Sequence, residues 1–66
     1  MGKCDQIIDM KKVWLQTEDE AVIIGAPINI DYADDTGAKE DAICIETDTG
    51  KIISIAESII KAFREE

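Results

Sequence analysis

The stretch that decides the fold covers residues 42–65 and reads AICIETDTGKIISIAESIIKAFRE. Its first six residues, 42–47, alternate isoleucine with other side chains, which is typical of a half-buried strand. The Asp-Thr-Gly triplet at 48–50 then gives a turn signal between two isoleucine-rich runs. We therefore predict a β-hairpin that joins Ile43 to Ile53.

The second half of the same stretch predicts an amphipathic helix. Ser54 and Glu57 have the spacing of a capping box just ahead of a helical pattern. We prefer a C-terminal helix over residues 55–65 to the alternative, a helix that runs continuously from Asp48 to the end. Its buried stripe would consist of Ile55, Ala56, Ile59, Ile60 and Phe63.

Upstream of this stretch the pattern favours further strands. Residues 11–17 alternate, and residues 21–26 are apolar on both faces, so that a strand there requires cover on both sides. Pro27 cannot donate a ladder hydrogen bond, and it therefore ends the strand, bends it or confines it to a sheet edge. Residues 28–32 alternate again, which predicts a half-buried extension.

Two segments are less regular. Residues 33–41 are polar and contain Gly37, which predicts a turn or a mobile loop. Residues 1–10 fit a helix, a strand or a disordered segment, and all three alternatives stay open. The predicted fold class is α+β: residues 1–66 form one small domain, with an antiparallel sheet of three to five strands packed against one C-terminal amphipathic helix.

The small size of the chain predicts self-association. It has 66 residues, of which 45% are hydrophobic and 33% are charged, and this is a globular balance. A single core of this size rarely contributes more than ~3–5 kcal/mol, so that such chains usually need a disulfide, a metal or a second subunit. Two cysteines and no histidine make the first two unpromising. We therefore expect a homo-oligomer.

The net charge of −8 excludes several partners. An acidic chain is repelled by nucleic-acid phosphates and by anionic membrane surfaces, and no apolar run approaches the ~20 residues that cross a bilayer. The chain shows neither a signal-peptide pattern nor a framework of cysteines, so we expect a cytoplasmic protein. A basic protein is the partner that the charge favours.

Two groups of residues have ligand chemistry. Carboxylates gathered in segment 31–41 could hold a hard cation, although their spacing differs from an EF-hand loop and a solvated acidic loop is the simpler interpretation. This candidate set is Asp31, Asp34, Asp35, Glu40 and Asp41. Cys4 is the better candidate for an exposed thiol, whereas Cys44 is expected to be a small core residue.

The sequence predicts no catalytic residue and no cofactor, because no histidine, nucleophile elbow or phosphate loop occurs in it. The function predicted is a non-enzymatic protein–protein interaction or regulatory module with an acidic surface. The alternative is a binding protein that depends on a divalent cation or on the thiols. The candidate interface residues are large apolar side chains in predicted strands: Trp14, Val22, Ile24 and Tyr32.

Overall fold

The structure is a computed structural model that describes residues 2–66. In chain order its helices and strands are α1 (Lys3–Ile7), β1 (Val13–Thr17), β2 (Val22–Asp31), α2 (Ala33–Thr36), β3 (Ala42–Thr47), β4 (Ile52–Ala56) and β5 (Ile60–Glu65), with a 3-10 turn at Glu57–Ile59 between the last two strands. The strands form one five-stranded sheet in the order β4-β3-β2-β1-β5, and all neighbouring strands are antiparallel.

The long strand β2 bends the sheet, because its two halves pair with different neighbours. Gly25 lies opposite Val13 of β1 and also opposite Thr47 of β3, so that it marks the point where both neighbours meet β2. The register shifts between Pro27 and Asn29. An irregularity of this kind is where a strand inside a sheet tolerates a proline, which has no N–H to donate.

The concave face of the bent sheet holds the core, and α1 covers it. The two buried residues of α1, Cys4 and Ile7, are three apart and therefore lie on one side of the helix. The radius of gyration is 10.9 Å, close to the ~11 Å expected for a compact chain of this length. The buried cluster consists of Cys4, Ile7, Val13, Leu15, Ile30, Ile43, Ile45, Ile55 and Ile60.

The predicted C-terminal amphipathic helix does not exist, and the predicted fold class is wrong on this point. Residues 55–65 instead belong to β4, the 3-10 turn and β5. The strand β5 pairs with β1 along most of its length, and it thereby gives β1 the backbone hydrogen bonds that a helix would leave unmade. The capping box is not formed either, because the Glu57 carboxylate accepts a hydrogen bond from the backbone N–H of Lys3 at 2.5 Å.

The two irregular segments each contain a short helix. Residues 3–7 settle the open assignment of the N-terminal segment as helical, whereas Met1 lies outside the described residues. In the predicted loop, α2 ends at Gly37, whose φ of 75° is the left-handed conformation that glycine adopts easily. Within residues 2–66 no helix is long and apolar enough to cross a membrane.

Candidate functional site

Two of the candidate metal ligands, Glu40 and Asp41, are used by the fold in separate hydrogen bonds. Asp41 accepts the backbone N–H of Ala33 at 2.8 Å and so fixes the start of α2. Glu40 accepts the backbone N–H and the hydroxyl of Ser58 at 2.6 and 2.8 Å, which ties the loop to the 3-10 turn. Both carboxylates are thus engaged in holding the fold together.

The remaining candidate ligands are not gathered around a common point. Asp31 accepts the amide of Asn29 at 3.1 Å and the thiol of Cys44 at 3.3 Å, while Asp34 and Asp35 are exposed on α2. Across the described residues no group of three carboxylates or thiols is arranged to hold an ion. The structure therefore gives the acidic segment no geometry that distinguishes it from a solvated surface.

Both cysteines are buried and free. Cys4 is 1% exposed, so that the expectation of an exposed thiol at this position is wrong. Burial, followed by the negative charges of Glu57, Asp41 and Asp5, raises the pKa of the Cys4 thiol to about 11. The α1 helix causes this burial, because it turns Cys4 towards the core together with Ile7.

Cys44 is buried, at 9% exposure, as predicted, but it lies on the convex face of the sheet and outside the core cluster. Burial and the hydrogen bond to Asp31 raise the pKa of its thiol. Reactive cysteines have a lowered pKa and lie in electropositive surroundings. The environments of Cys4 and Cys44 therefore favour the protonated thiol at both positions.

Three of the four predicted interface residues share the convex face. Trp14 lies opposite Ile24 of β2 and opposite Arg64 of β5. Val22 is two residues from Ile24 on the same face and is 50% exposed. The Arg64 guanidinium stacks 4.4 Å from the centre of the Trp14 ring, so that this ring is already covered from within the chain. The fourth residue, Tyr32, follows the opposite end of β2 and lies apart from them.

A groove that the sequence did not predict opens beside β4. Its volume is about 520 Å³, and its apolar lining comes from three separate segments, represented by Ile23, Ile55 and Ile59. No single stretch of sequence signals it, because it exists only where the end of β4 approaches the β1–β2 turn. The complete lining is Thr17, Glu18, Asp19, Ala21, Ile23, Ser54, Ile55 and Ile59.

The β1–β2 turn that borders the groove is held by a small set of hydrogen bonds. The Thr17 N–H donates to the Ala21 carbonyl at 2.9 Å, and the Glu18 N–H donates to the Ile59 carbonyl at 2.8 Å. The Thr17 hydroxyl donates to the Asp19 carboxylate, which lowers the pKa of Asp19. The turn is therefore a fixed wall of the groove with two exposed acidic side chains, Glu18 and Asp19.

The outer edge of β4 is the second feature on this side of the molecule. β4 is the last strand of the sheet, and within residues 2–66 only β3 pairs with it. The hairpin bond from the Thr47 N–H to the Lys51 carbonyl measures 2.8 Å, and the alternation of an antiparallel ladder then turns the polar groups of residues 53 and 55 towards β3. The N–H and C=O groups of Ile52, Ser54 and Ala56 point outwards.

This edge lacks the features that usually prevent pairing. Natural edge strands carry charges, proline or a bulge, whereas β4 reads Ile-Ile-Ser-Ile-Ala and contains none of them. Ile52 is 60% exposed. The opposite edge strand, β5, carries Lys61, Arg64 and Glu65, and the Lys3 ammonium donates to its Ile60 carbonyl at 2.7 Å. One edge of the sheet is protected by charge and the other is bare.

The shifted pKa values do not indicate acid–base or nucleophilic chemistry. A catalytic thiol or lysine has a lowered pKa, and a catalytic carboxylic acid has a raised one. Here the two thiol pKa values and the pKa of Lys61 are raised, and the pKa of Asp19 is lowered. The hydrogen bond and charge of Glu20 cause the shift at Lys61. Each shift favours the protonation state that the group already has at neutral pH: the thiols and the lysine stay protonated, and the aspartate stays ionised.

Comparison with known proteins gives no further guide, because no protein-family model, no curated protein and no solved structure matches this chain.

Proposed function

We propose that this chain is a non-enzymatic protein–protein interaction or regulatory module of the cytoplasm, which self-associates and presents an acidic surface to a basic partner. The observation that carries the proposal is the bare outer edge of β4 beside the apolar groove. A row of outward polar groups next to exposed apolar side chains is the arrangement that favours pairing with another strand.

The exposed apolar area supports self-association. Four large aliphatic side chains remain 44–60% exposed although the core is compact. Two of them, Ile52 and Ile59, lie on or beside the β4 side of the molecule. Their burial against a second subunit would supply the stabilisation that one small core does not, at roughly 25 cal/mol per Å² of apolar area. The other two are Val22 and Ile28.

The oligomeric state tests this part of the proposal. Sedimentation velocity over a wide range of concentration is expected to show a species of about twice the chain mass of 7.3 kDa at the higher concentrations. Because a homodimer forms by mass action, its fraction must fall on dilution. A single sedimenting species with the mass of one chain at every concentration would overturn the self-associating module.

The excess of carboxylates supports a basic partner. The chain carries 15 acidic and seven basic residues, so that a positively charged surface is attracted at long range. Asp34 and Asp35 of α2 are adjacent, exposed and far along the chain from β4, and they form the densest part of the acidic segment.

A labelled hexalysine peptide provides a defined probe for this part. We expect its binding to weaken steeply between 50 and 500 mM salt, because the screening length falls from about 14 Å to about 4 Å over that range. The double variant Asp34→Asn/Asp35→Asn is compared with Glu65→Gln/Glu66→Gln, which removes the same charge at the C-terminus. A larger loss for the first pair supports an acidic surface at α2. An equal loss for both pairs means that only net charge matters and contradicts it.

A further inference from the structure

We infer that β4 pairs with β4 of a second copy of this chain, antiparallel and in one register, with a twofold axis at Ser54. This inference deepens the self-association part of the proposed function and rests on it. It names the strand, the register and the symmetry of the contact. Its occupant is a second copy of the chain, because the strand is complementary to itself in three independent respects.

The outward backbone groups of β4 are the first respect in which the strand is complementary to itself. The outward N–H and C=O groups belong to Ile52, Ser54 and Ala56, which are evenly spaced about Ser54. In an antiparallel pair only alternate residue pairs exchange hydrogen bonds. With the axis at Ser54, position 54 meets position 54 and position 52 meets position 56. All three outward residues then lie in hydrogen-bonding pairs, and none is left unpaired.

The charges at the two ends of β4 are the second respect in which the strand is complementary to itself. The residues that flank the strand are Lys51 and Glu57, and both are three positions from Ser54. The register centred on Ser54 therefore places Lys51 of one copy opposite Glu57 of the other, on both sides of the axis. An axis at Ala56 would instead place Glu57 opposite Ile55 and away from Lys51, so that the pair of opposite charges would be lost.

The apolar side chains of β4, which two copies would bury against each other, are the third respect. On the convex face the register places Ile52, the most exposed of the large apolar residues at 60%, opposite Ala56 of the second copy. On the concave face it places Ile53 of the second copy opposite Ile55, which is one of the residues that line the groove. The same pairing thus covers the exposed isoleucine and brings an apolar side chain to the groove.

The edge of β5 makes a closed dimer more favourable than an open chain of copies. Pairing β4 of one copy with β5 of the next would place the uncharged strand against Lys61, Arg64 and Glu65. It would also have to displace the bond from the Lys3 ammonium to the Ile60 carbonyl. Pairing of β4 with itself buries none of these charges and leaves no free β4 edge, so that association stops at two copies.

Engineered disulfides test the register directly. Ser54→Cys is prepared in a Cys44→Ala background, because Cys44 lies opposite Ser54 within the chain and would otherwise compete. In the proposed register the two Cα atoms at position 54 are about 5.5 Å apart, within the ~4.4–6.8 Å range of disulfides. The matched control is Ile52→Cys in the same background, for which the two copies of position 52 are about 13 Å apart along the strands.

The expected result is a covalent dimer of Ser54→Cys under oxidised glutathione and none for Ile52→Cys. A mixture of Ile52→Cys and Ala56→Cys is expected to give a cross-linked heterodimer. Cross-linking of Ile52→Cys alone overturns the register. Absence of cross-linking at position 54, with a dimer still present in sedimentation, overturns the inference but leaves self-association standing. A monomer in sedimentation overturns both.

A charge variant gives a second readout that does not depend on a cysteine. Ser54→Lys places two like charges opposite each other on the axis, and it is expected to weaken the dimer about five-fold. The control, Ala62→Lys, adds the same charge at an exposed position of β5. Equal dimer dissociation constants for the two variants would contradict the contact at β4.

Discussion

Replacement of Gly25 by alanine tests the close approach on which the bent sheet depends. A Cβ atom at this position would overlap the backbone carbonyl of Glu46 and lie 2.8 Å from the Cγ2 atom of Ile45. Real Cβ atoms essentially never come this close to other atoms, so either β3 or β2 has to move. Neither can move freely, because Gly25 is paired with β1 on one side and with β3 on the other.

The cost of this overlap can be estimated from that of overpacked cores, which is typically ~1–3 kcal/mol. A loss of ~2 kcal/mol is about half of the ~3–5 kcal/mol available to a chain of this size. With a urea m-value of about 1 kcal/mol/M, the unfolding midpoint of Gly25→Ala falls by about 2 M. At an unfolding entropy of ~2.1 cal/mol/K per residue, the same loss lowers Tm by roughly 14 °C for 66 residues.

The assay is urea and thermal unfolding followed by circular dichroism, with Gly50→Ala as the matched control. Gly50 has a φ of 83°, but nothing lies within 4 Å of the point that a Cβ atom would occupy there, so that Gly50→Ala costs only the left-handed backbone, about 1 kcal/mol. Asparagine tolerates that conformation, and Gly50→Asn is therefore expected to recover part of the loss. If Gly25→Ala unfolds at the same urea concentration as the unmodified chain, the close pairing of β2 with β3 at this point is wrong.

The Thr17 hydroxyl lowers the pKa of Asp19 below 3.8 in the folded chain. The stability that the ionised Asp19 carboxylate contributes is therefore lost as the pH falls through the lowered value. Asp19→Asn is expected to flatten the acid side of a plot of urea midpoint against pH. Burial raises the pKa of Cys4 from 9.0 to about 11, so that unfolding becomes easier as the pH rises between these values. Cys4→Ala is expected to reduce this alkaline decline and to leave the part that Cys44 causes. Arg64→Gln uncovers Trp14 and shifts its fluorescence to longer wavelength; an unchanged spectrum would contradict the stacked pair.

The strands with strict alternation were predictable from the sequence. The structure places β3 at Ala42–Thr47, over the same residues as the predicted strand, and β1 at Val13–Thr17, within the predicted 11–17. The turn after β3 also lies at the Asp-Thr-Gly signal, where Gly50 adopts the positive φ that this turn requires. In these segments local backbone preference and burial agree, so that pattern alone is sufficient.

The strand β2 was predictable only in part. The sequence predicts two apolar runs, 21–26 and 28–32, on either side of Pro27, whereas the chain continues through the proline as one strand, Val22–Asp31. The register shift that makes this possible depends on how β3 pairs with β2, which is a tertiary property. The groove beside β4 was unpredictable for the same reason, because its lining comes from three segments that meet only in the fold.

The prediction of a C-terminal helix is wrong because two periodicities fit the same residues. Ile55, Ile60 and Phe63 lie on a helical stripe, but they also lie on the concave face of two short strands that are separated by a 3-10 turn. The sequence pattern alone does not reveal the 3-10 turn that separates the two strands. The strand conformation is favoured because β5 pairs with the free edge of β1. The β-branched isoleucines also favour a strand over a helix.

The lack of charge within β4 is what makes it a bare edge. Between Lys51 and Glu57 the chain has five residues without charge. In the observed sheet these five residues form the outermost strand, where a lysine or a glutamate would normally block pairing. With a net charge of −8, two copies repel each other at long range. The proposed association must therefore depend on short-range contacts, and an uncharged strand flanked by one lysine and one glutamate would supply them where repulsion is least.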